Sequence, residues 1–175
     1  MSQTLSQIST QTGFAHLTDL PCLKLVCGEA SAVISLYGAQ LLSYQPAPGR
    51  ELLWLSPKAV WQQQQAIRGG VPVCWPWFGP AGKPFNTSAA KLPNHGLVRN
   101  RLWRQVQAKP STQQALVTLS IKYRRHWVVV KVNGYQRQIV HRQHFAHWAA
   151  AGGLTDNIVH FFRSGIAASN KGQVD

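Results

Sequence analysis

Two short stretches carry most of the side chains with chemistry to offer. The first is Ile67–Pro80, IRGGVPVCWPWFGP, which packs three glycines, three prolines, two tryptophans and a phenylalanine into fourteen residues. Gly69 and Gly70 open backbone conformations closed to other residues, and Pro72, Pro76 and Pro80 stiffen the segment around them. Trp75, Trp77 and Phe78 offer flat apolar faces of the kind that line carbohydrate sites. Arg68 is the one charge at the edge of this rigid element. The second stretch is Leu92–Trp103, LPNHGLVRNRLW. Asn94 and His95 precede Gly96 at a turn, and Arg99 lies three residues beyond it. An amide, an imidazole and a guanidinium on one short segment can all hydrogen-bond hydroxyls or a phosphate, and the arginine fork matches two phosphate oxygens. A plainer reading puts the aromatics in a core, leaves Arg68 and Arg99 as solvated charge and makes His95 a turn residue.

Two other groups invite a metal reading and do not sustain it. Cys22 and Cys27 lack both the spacing and the second ligand pair of a metal site, so they read, with Cys74, as free thiols. His141, His144 and His147 recur at intervals of three. On a helix, positions three apart share a face but the third member drifts off it. No carboxylate or cysteine lies near them in sequence, so no metal is expected.

The elements that must hold the two stretches read as short strands between turns. Leu23, Leu25 and Cys27 alternate with Lys24 and Val26, and Ala32, Ile34 and Leu36 alternate with smaller or polar residues. Leu41, Leu42 and Tyr44 lead into Pro46, Pro48 and Gly49; Leu52–Leu55 and Ala115–Ile121 are further apolar runs. This spacing predicts an all-β sandwich or barrel. No helix-period stripe of useful length precedes residue 120.

The chain has 175 residues, enough for one domain with a core. Lys and Arg number 18 against 5 Asp and Glu, a net charge of +13, and no acid occurs from Leu52 to Thr155. That window therefore excludes an acidic metal cage, a calcium site or a two-carboxylate mechanism. The polar N-terminus lacks the basic and apolar regions of a signal peptide, and no run of 18 apolar residues marks a membrane span. With three cysteines in no regular framework, a reducing cytoplasm is the expected compartment. After residue 120 the character shifts: residues 121–175 hold eight Lys/Arg, two acids and five of the seven histidines. Within it, Trp127–Val140 resembles a hairpin turning at Asn133-Gly134. Residues Gln138–Ala151 read as a candidate helix ending at Gly152-Gly153.

Taken in order, GAQLLSYQP (Gly38–Pro46), ELLWLS (Glu51–Ser56), IRGGVPVCWPWFG and PNHGLVRNRLW resemble the start of the bacterial glucose-6-phosphate 1-epimerases, or hexose-6-phosphate mutarotases. These belong to the wider aldose 1-epimerase (galactose mutarotase-like) group, and the resemblance covers about residues 12–120. It implies a large antiparallel β-sandwich, incomplete in this chain because family members are much longer. It implies an isomerase that interconverts the α and β anomers of a hexose 6-phosphate, with no cofactor and no metal. By motif match, Arg68 and Arg99 are implied to contact the sugar phosphate. Asn94 stands where some members carry a substrate-binding Gln, and His95 matches a histidine lining the sugar site. The expected partner is the small sugar phosphate, with no membrane and a monomeric chain.

Mutarotation needs a base for the anomeric hydroxyl and an acid for the ring oxygen, with roles reversed after ring opening. The family implies a downstream Glu and a second His for these tasks, and a downstream Asp for the sugar hydroxyls. None can be placed here: no Glu occurs after Glu51, Asp156 and Asp175 lack the expected setting, and His160-Phe161-Phe162 is a weak echo of the histidine motif. Residues 1–120 are thus expected to form the N-terminal part of the sandwich, and 121–175 an atypical basic, His-rich tail translated out of the ancestral frame. A divergent domain end, binding sugar phosphate without turning it over, is the alternative. A basic nucleic-acid-binding module is the least favoured reading, since the positive charges are spread along the sequence with no long Lys/Arg run.

Overall fold

The computed structural model describes residues 4–62, 65–82, 92–124, 126–135, 138–147 and 154–163, with side chains for all but 126, 135, 138–147 and 154–163. The architecture is all-β, as the alternating apolar runs predict. Strands β1 (Gln7–Phe14), β2 (Leu17–Cys27), β3 (Ala30–Ser35) and β4 (Leu41–Gln45) form one antiparallel sheet in sequence order. Strands β5 (Arg104–Pro110), β6 (Gln114–Tyr123), β7 (His126–Tyr135), β8 (Gln138–His147) and β9 (Leu154–Arg163) form a second.

Period-two alternation explains how the sheets pack. Leu23 and Leu25 of β2, Ala32 and Ile34 of β3, and Leu41 and Tyr44 of β4 face the second sheet. There they meet Ala115, Val117 and Leu119 of β6 and Val128, Val130 and Val132 of β7. The other face of the first sheet is also covered. Leu20 and Cys22 of β2 and Val33 of β3 form a second core with Ala59 and Ile67 from the long connection after β4. That connection is fastened down: the Trp61 indole donates to the Thr18 carbonyl at 2.8 Å, and the Tyr37 hydroxyl to the Gln65 carbonyl at 2.8 Å. Both faces of β2 are therefore apolar, and Cys22 and Cys27 are buried free thiols as the sequence predicts.

Three local expectations need correction. Leu52–Leu55 is not a strand: apart from one isolated bridge between Leu55 and Gly69 it is irregular, with Trp54 67 % exposed. The chain does not turn at Asn133-Gly134, which pair inside the β6–β7–β8 ladder with Leu116 and Ala115 on one side and Val140 and Ile139 on the other. The alternation Val128, Val130, Val132 continues to Gly134, which packs near Leu25, so the core holds the strand straight through. Finally, 138–147 is strand β8 rather than helix, because β7 offers it a full ladder of backbone partners. Residues 148–151 of that expected helix lie outside the described residues, and the backbone pairing of β6 and β7 runs across residue 120, where the composition changes.

β1 went unread in the sequence. Its run QISTQTGF buries little, as an edge strand does, and carries no apolar alternation.

Candidate functional site

The first stretch is held by a buried amide. Gln40, 1 % exposed, donates its side-chain N–H to the carbonyls of Ile67 (3.2 Å) and Gly69. Backbone bonds complete the clamp: Ser56 N–H to Arg68 O at 3.1 Å, Gly70 N–H to Trp54 O at 2.8 Å, and Val71 N–H to Leu41 O at 2.8 Å. This is why glycine is needed at 70, where φ is +58° and a Cβ would stand 2.2 Å from the Leu41 carbonyl oxygen. Arg68 is fixed through its backbone between these clamps while its side chain is exposed.

The second stretch is zipped onto the first. Leu97 N–H donates to Trp75 O at 2.6 Å, and the Trp77 indole donates to Pro93 O at 3.0 Å. His95 and Gly79 bond twice: His95 N–H to Gly79 O at 2.7 Å, and Gly79 N–H to His95 Nδ1 at 3.0 Å. The approach is so close that a Cβ on Gly96 would lie 2.0 Å from Trp75 O. The second hydrogen bond fixes the imidazole chemically as well as spatially. Nδ1 accepts, so in the neutral ring the proton sits on Nε2, which is left as a donor. The ring packs edge-to-face on Phe78, with centroids 4.8 Å apart. His95 is half-buried in this setting, and Asn94 beside it is exposed.

Arg99 is placed by the same folding-over. Gly38 N–H donates to Arg101 O and Trp103 N–H to Leu36 O, each at 2.8 Å, which lays residues 99–103 along the end of β3. Arg99 is half-buried, and its Nε is buried with no hydrogen-bond partner among the described residues. Its charge reaches both flanks. Burial pushes the Tyr37 phenol and the Cys74 thiol up, and the Arg99 guanidinium pulls both part of the way back. A half-buried guanidinium lacking a partner at Nε, and a pinned histidine on the same short segment that offers Nε2–H, are donors suited to an oxygen-bearing, anionic ligand.

Of the four side chains singled out in the sequence, His95 is bound to Gly79 and packs on Phe78, while the Arg99 charge acts on Cys74 at the other end of residues 74–79. Arg68 sits at the clamped start of the same stretch, and Asn94 lies at its rim. No hydrogen bond joins any two of them among the described residues. The sequence reading missed Gln40, whose amide was visible in GAQLLSYQP but whose burial was not. It also missed Glu51, which accepts from the Ser43 hydroxyl and, at 2.9 Å each, from the N–H groups of Tyr44 and Leu53. The last acid before the acid-free run is thus a clasp on β4. Among the described residues no group of three or more His, Cys, Asp or Glu could hold a metal ion.

Residues 21–128 match the aldose 1-epimerase family, and they contain every element of this arrangement. The chain belongs to that family. Over 99 residues it is 42 % identical to a provisionally named glucose-6-phosphate 1-epimerase of Escherichia coli, covering 57 % of this chain and 32 % of that one. A protein of the same provisional name from Salmonella typhimurium is 32 % identical over 127 residues, or 70 % of this chain and 41 % of that one. The fold agrees with the crystal structure of a provisionally named mutarotase (YeaD) from Salmonella typhimurium, with a TM-score of 0.64 and 25 % identity over 79 % of this chain and 50 % of that one. The chain therefore spans between about a third and two fifths of these two curated relatives.

Proposed function

We propose that the chain carries the sugar-phosphate-recognition part of a glucose-6-phosphate 1-epimerase-like isomerase, which interconverts the α and β anomers of a hexose 6-phosphate. The observation that supports this most is that one short segment carries both a pinned His95 and a half-buried Arg99 whose Nε has no partner among the described residues. In this reading Arg99 and the exposed Arg68 take the phosphate, His95 donates Nε2–H to a sugar oxygen, and Asn94 contacts a hydroxyl at the rim. The aromatic faces of Trp75, Trp77 and Phe78 would lie against the apolar side of the ring. The chain works as a monomer in the cytoplasm, in keeping with three unpaired thiols.

Ring opening still needs a base and an acid. Among the described side chains the acids are Asp19, Glu29 and Glu51, and Glu51 is committed to β4. That favours a second reading, in which residues 1–120 bind the sugar phosphate and the basic segment 121–175 supplies no catalytic pair. One experiment separates the two. Anomer exchange of glucose 6-phosphate is followed by magnetisation-transfer NMR with and without the chain, alongside binding by calorimetry. Binding with accelerated exchange supports the isomerase; binding without it supports the second reading. Absence of binding refutes both.

A further inference from the structure

One bond that holds the two stretches together depends on the charge of an imidazole. Gly79 N–H is a backbone donor, so His95 Nδ1 must accept from it, at 3.0 Å. Acceptance needs a bare ring nitrogen, and a doubly protonated ring has none, because both of its nitrogens then donate. The other bonds of the zip are indifferent to protons: His95 N–H to Gly79 O, Leu97 N–H to Trp75 O, and the Trp77 indole to Pro93 O. Of the two stretches that meet at the ring, residues 75–80 and 92–97 carry no Asp, Glu, Lys or Arg, and His95 is their one titratable side chain. The nearest titratable groups along them are the cations Arg99 and Arg101 and the Cys74 thiol, which burial pushes up. The ring packs on uncharged Phe78, and no carboxylate bonds to it among the described residues. A second proton therefore gains no partner here and costs the Gly79 bond.

We propose that Gly79 and His95 form a proton-operated latch. With the ring neutral, the Phe78-Gly79 tip is held through both the N–H and the carbonyl of Gly79. A second proton, on Nδ1, sets donor against donor and leaves the carbonyl bond alone. The half-buried Gly79 N–H then regains water, so the latched form loses about 5-fold in population, the worth of one ordinary hydrogen bond. The latch is complete above the range in which imidazoles titrate and is lost as pH falls through it. Phe78, 79 % exposed, rides on this tip, so release loosens one of the aromatic faces assigned to the sugar. The latch itself does not rest on the sugar-phosphate reading; its effect on binding does.

The test is NMR of the isotope-labelled full chain from about pH 8 to about pH 5. The Gly79 amide resonance should move with the titration of the His95 ring, and its protection from exchange should fall about 5-fold on the acidic side. His95→Asn keeps an acceptor oxygen on the atom that bears Nδ1, takes up no proton, and tolerates the φ of +65° found at this position. Its Gly79 amide should stay protected at every pH. A Gly79 amide that ignores the titration of His95, or that loses protection equally in His95→Asn, overturns the latch. Calorimetry with glucose 6-phosphate tests the consequence, as the ratio of parent to His95→Asn affinity, in which the ionisation of the phosphate itself cancels. That ratio should fall as pH drops; a flat or rising ratio overturns the link to binding. If neither chain binds at any pH, the sugar-phosphate reading is refuted, and the amide measurement alone decides the latch.

Discussion

Gly96→Ala is the sharpest probe of how the site is assembled. Gly96 has φ of +84°, and an added Cβ would meet Trp75 O at 2.0 Å, Trp75 C at 2.3 Å and Trp75 N at 2.7 Å. All three are backbone atoms, so no side chain can swing aside. The substitution therefore carries two costs. The left-handed conformation costs a non-glycine residue about 1–2 kcal/mol. Driving the two stretches apart also breaks the 2.6 Å bond from Leu97 N–H to Trp75 O and leaves two polar groups unpaired, roughly 1–3 kcal/mol more. Gly49→Ala isolates the first cost, because Gly49 shares the positive φ (+77°) but a Cβ there meets nothing within 4 Å. The expected difference in stability between the two variants is about 2 kcal/mol. For a domain of this size that is a gap in Tm of about 4–8 °C, read by circular dichroism or calorimetry. Variants melting within about 2 °C of each other would refute the close approach of the two stretches. Gly96→Ala should also abolish glucose 6-phosphate binding while Gly49→Ala leaves it intact.

The same geometry sets other expectations. Gln40→Leu leaves the Ile67 and Gly69 carbonyls without their donor and should destabilise the chain by about 1–3 kcal/mol in urea unfolding. Arg68→Ala, at an exposed side chain, should weaken glucose 6-phosphate binding at least several-fold in calorimetry with Tm unchanged. Burial pushes the Cys22 thiol up to about 12, so its thiolate is scarcer than that of an ordinary thiol at every pH below that value. Iodoacetamide at pH 8 should therefore modify half-buried Cys74 first and reach Cys22 only after denaturation, as peptide mass mapping would show. The same raised pKa makes the Cys22 contribution to stability complete below about pH 9 and lost as pH climbs from 9 towards 12. A Cys22→Ala variant should accordingly lose less stability over that interval.

Much of the fold was legible because β2, β3, β4 and β6 carry clean period-two patterns with two buried faces or one. β1 was not legible, since an edge strand buries too little for hydrophobicity to mark it. The turn placed at Asn133-Gly134 is a case of tertiary override: the dipeptide favours a hairpin locally, but Val132 and Gly134 are held in the ladder by the core. At the site, the glycines, prolines and aromatics signalled a rigid element and Asn94-His95-Gly96 a turn, but not that the two stretches pair. The two hydrogen bonds between Gly79 and His95 and the buried Gln40 amide join residues far apart in the chain, and only the fold reveals them.

The most direct measurement is calorimetric titration of the full chain with glucose 6-phosphate and with glucose, repeated for Arg99→Ala. Loss of a charge-assisted contact of about 1.5–3 kcal/mol should weaken glucose 6-phosphate binding roughly 10- to 150-fold. Binding of unphosphorylated glucose should be weak in the parent chain and little altered by the substitution. Equal affinity for the two sugars, or an Arg99→Ala variant that binds glucose 6-phosphate as tightly as the parent, would contradict the account.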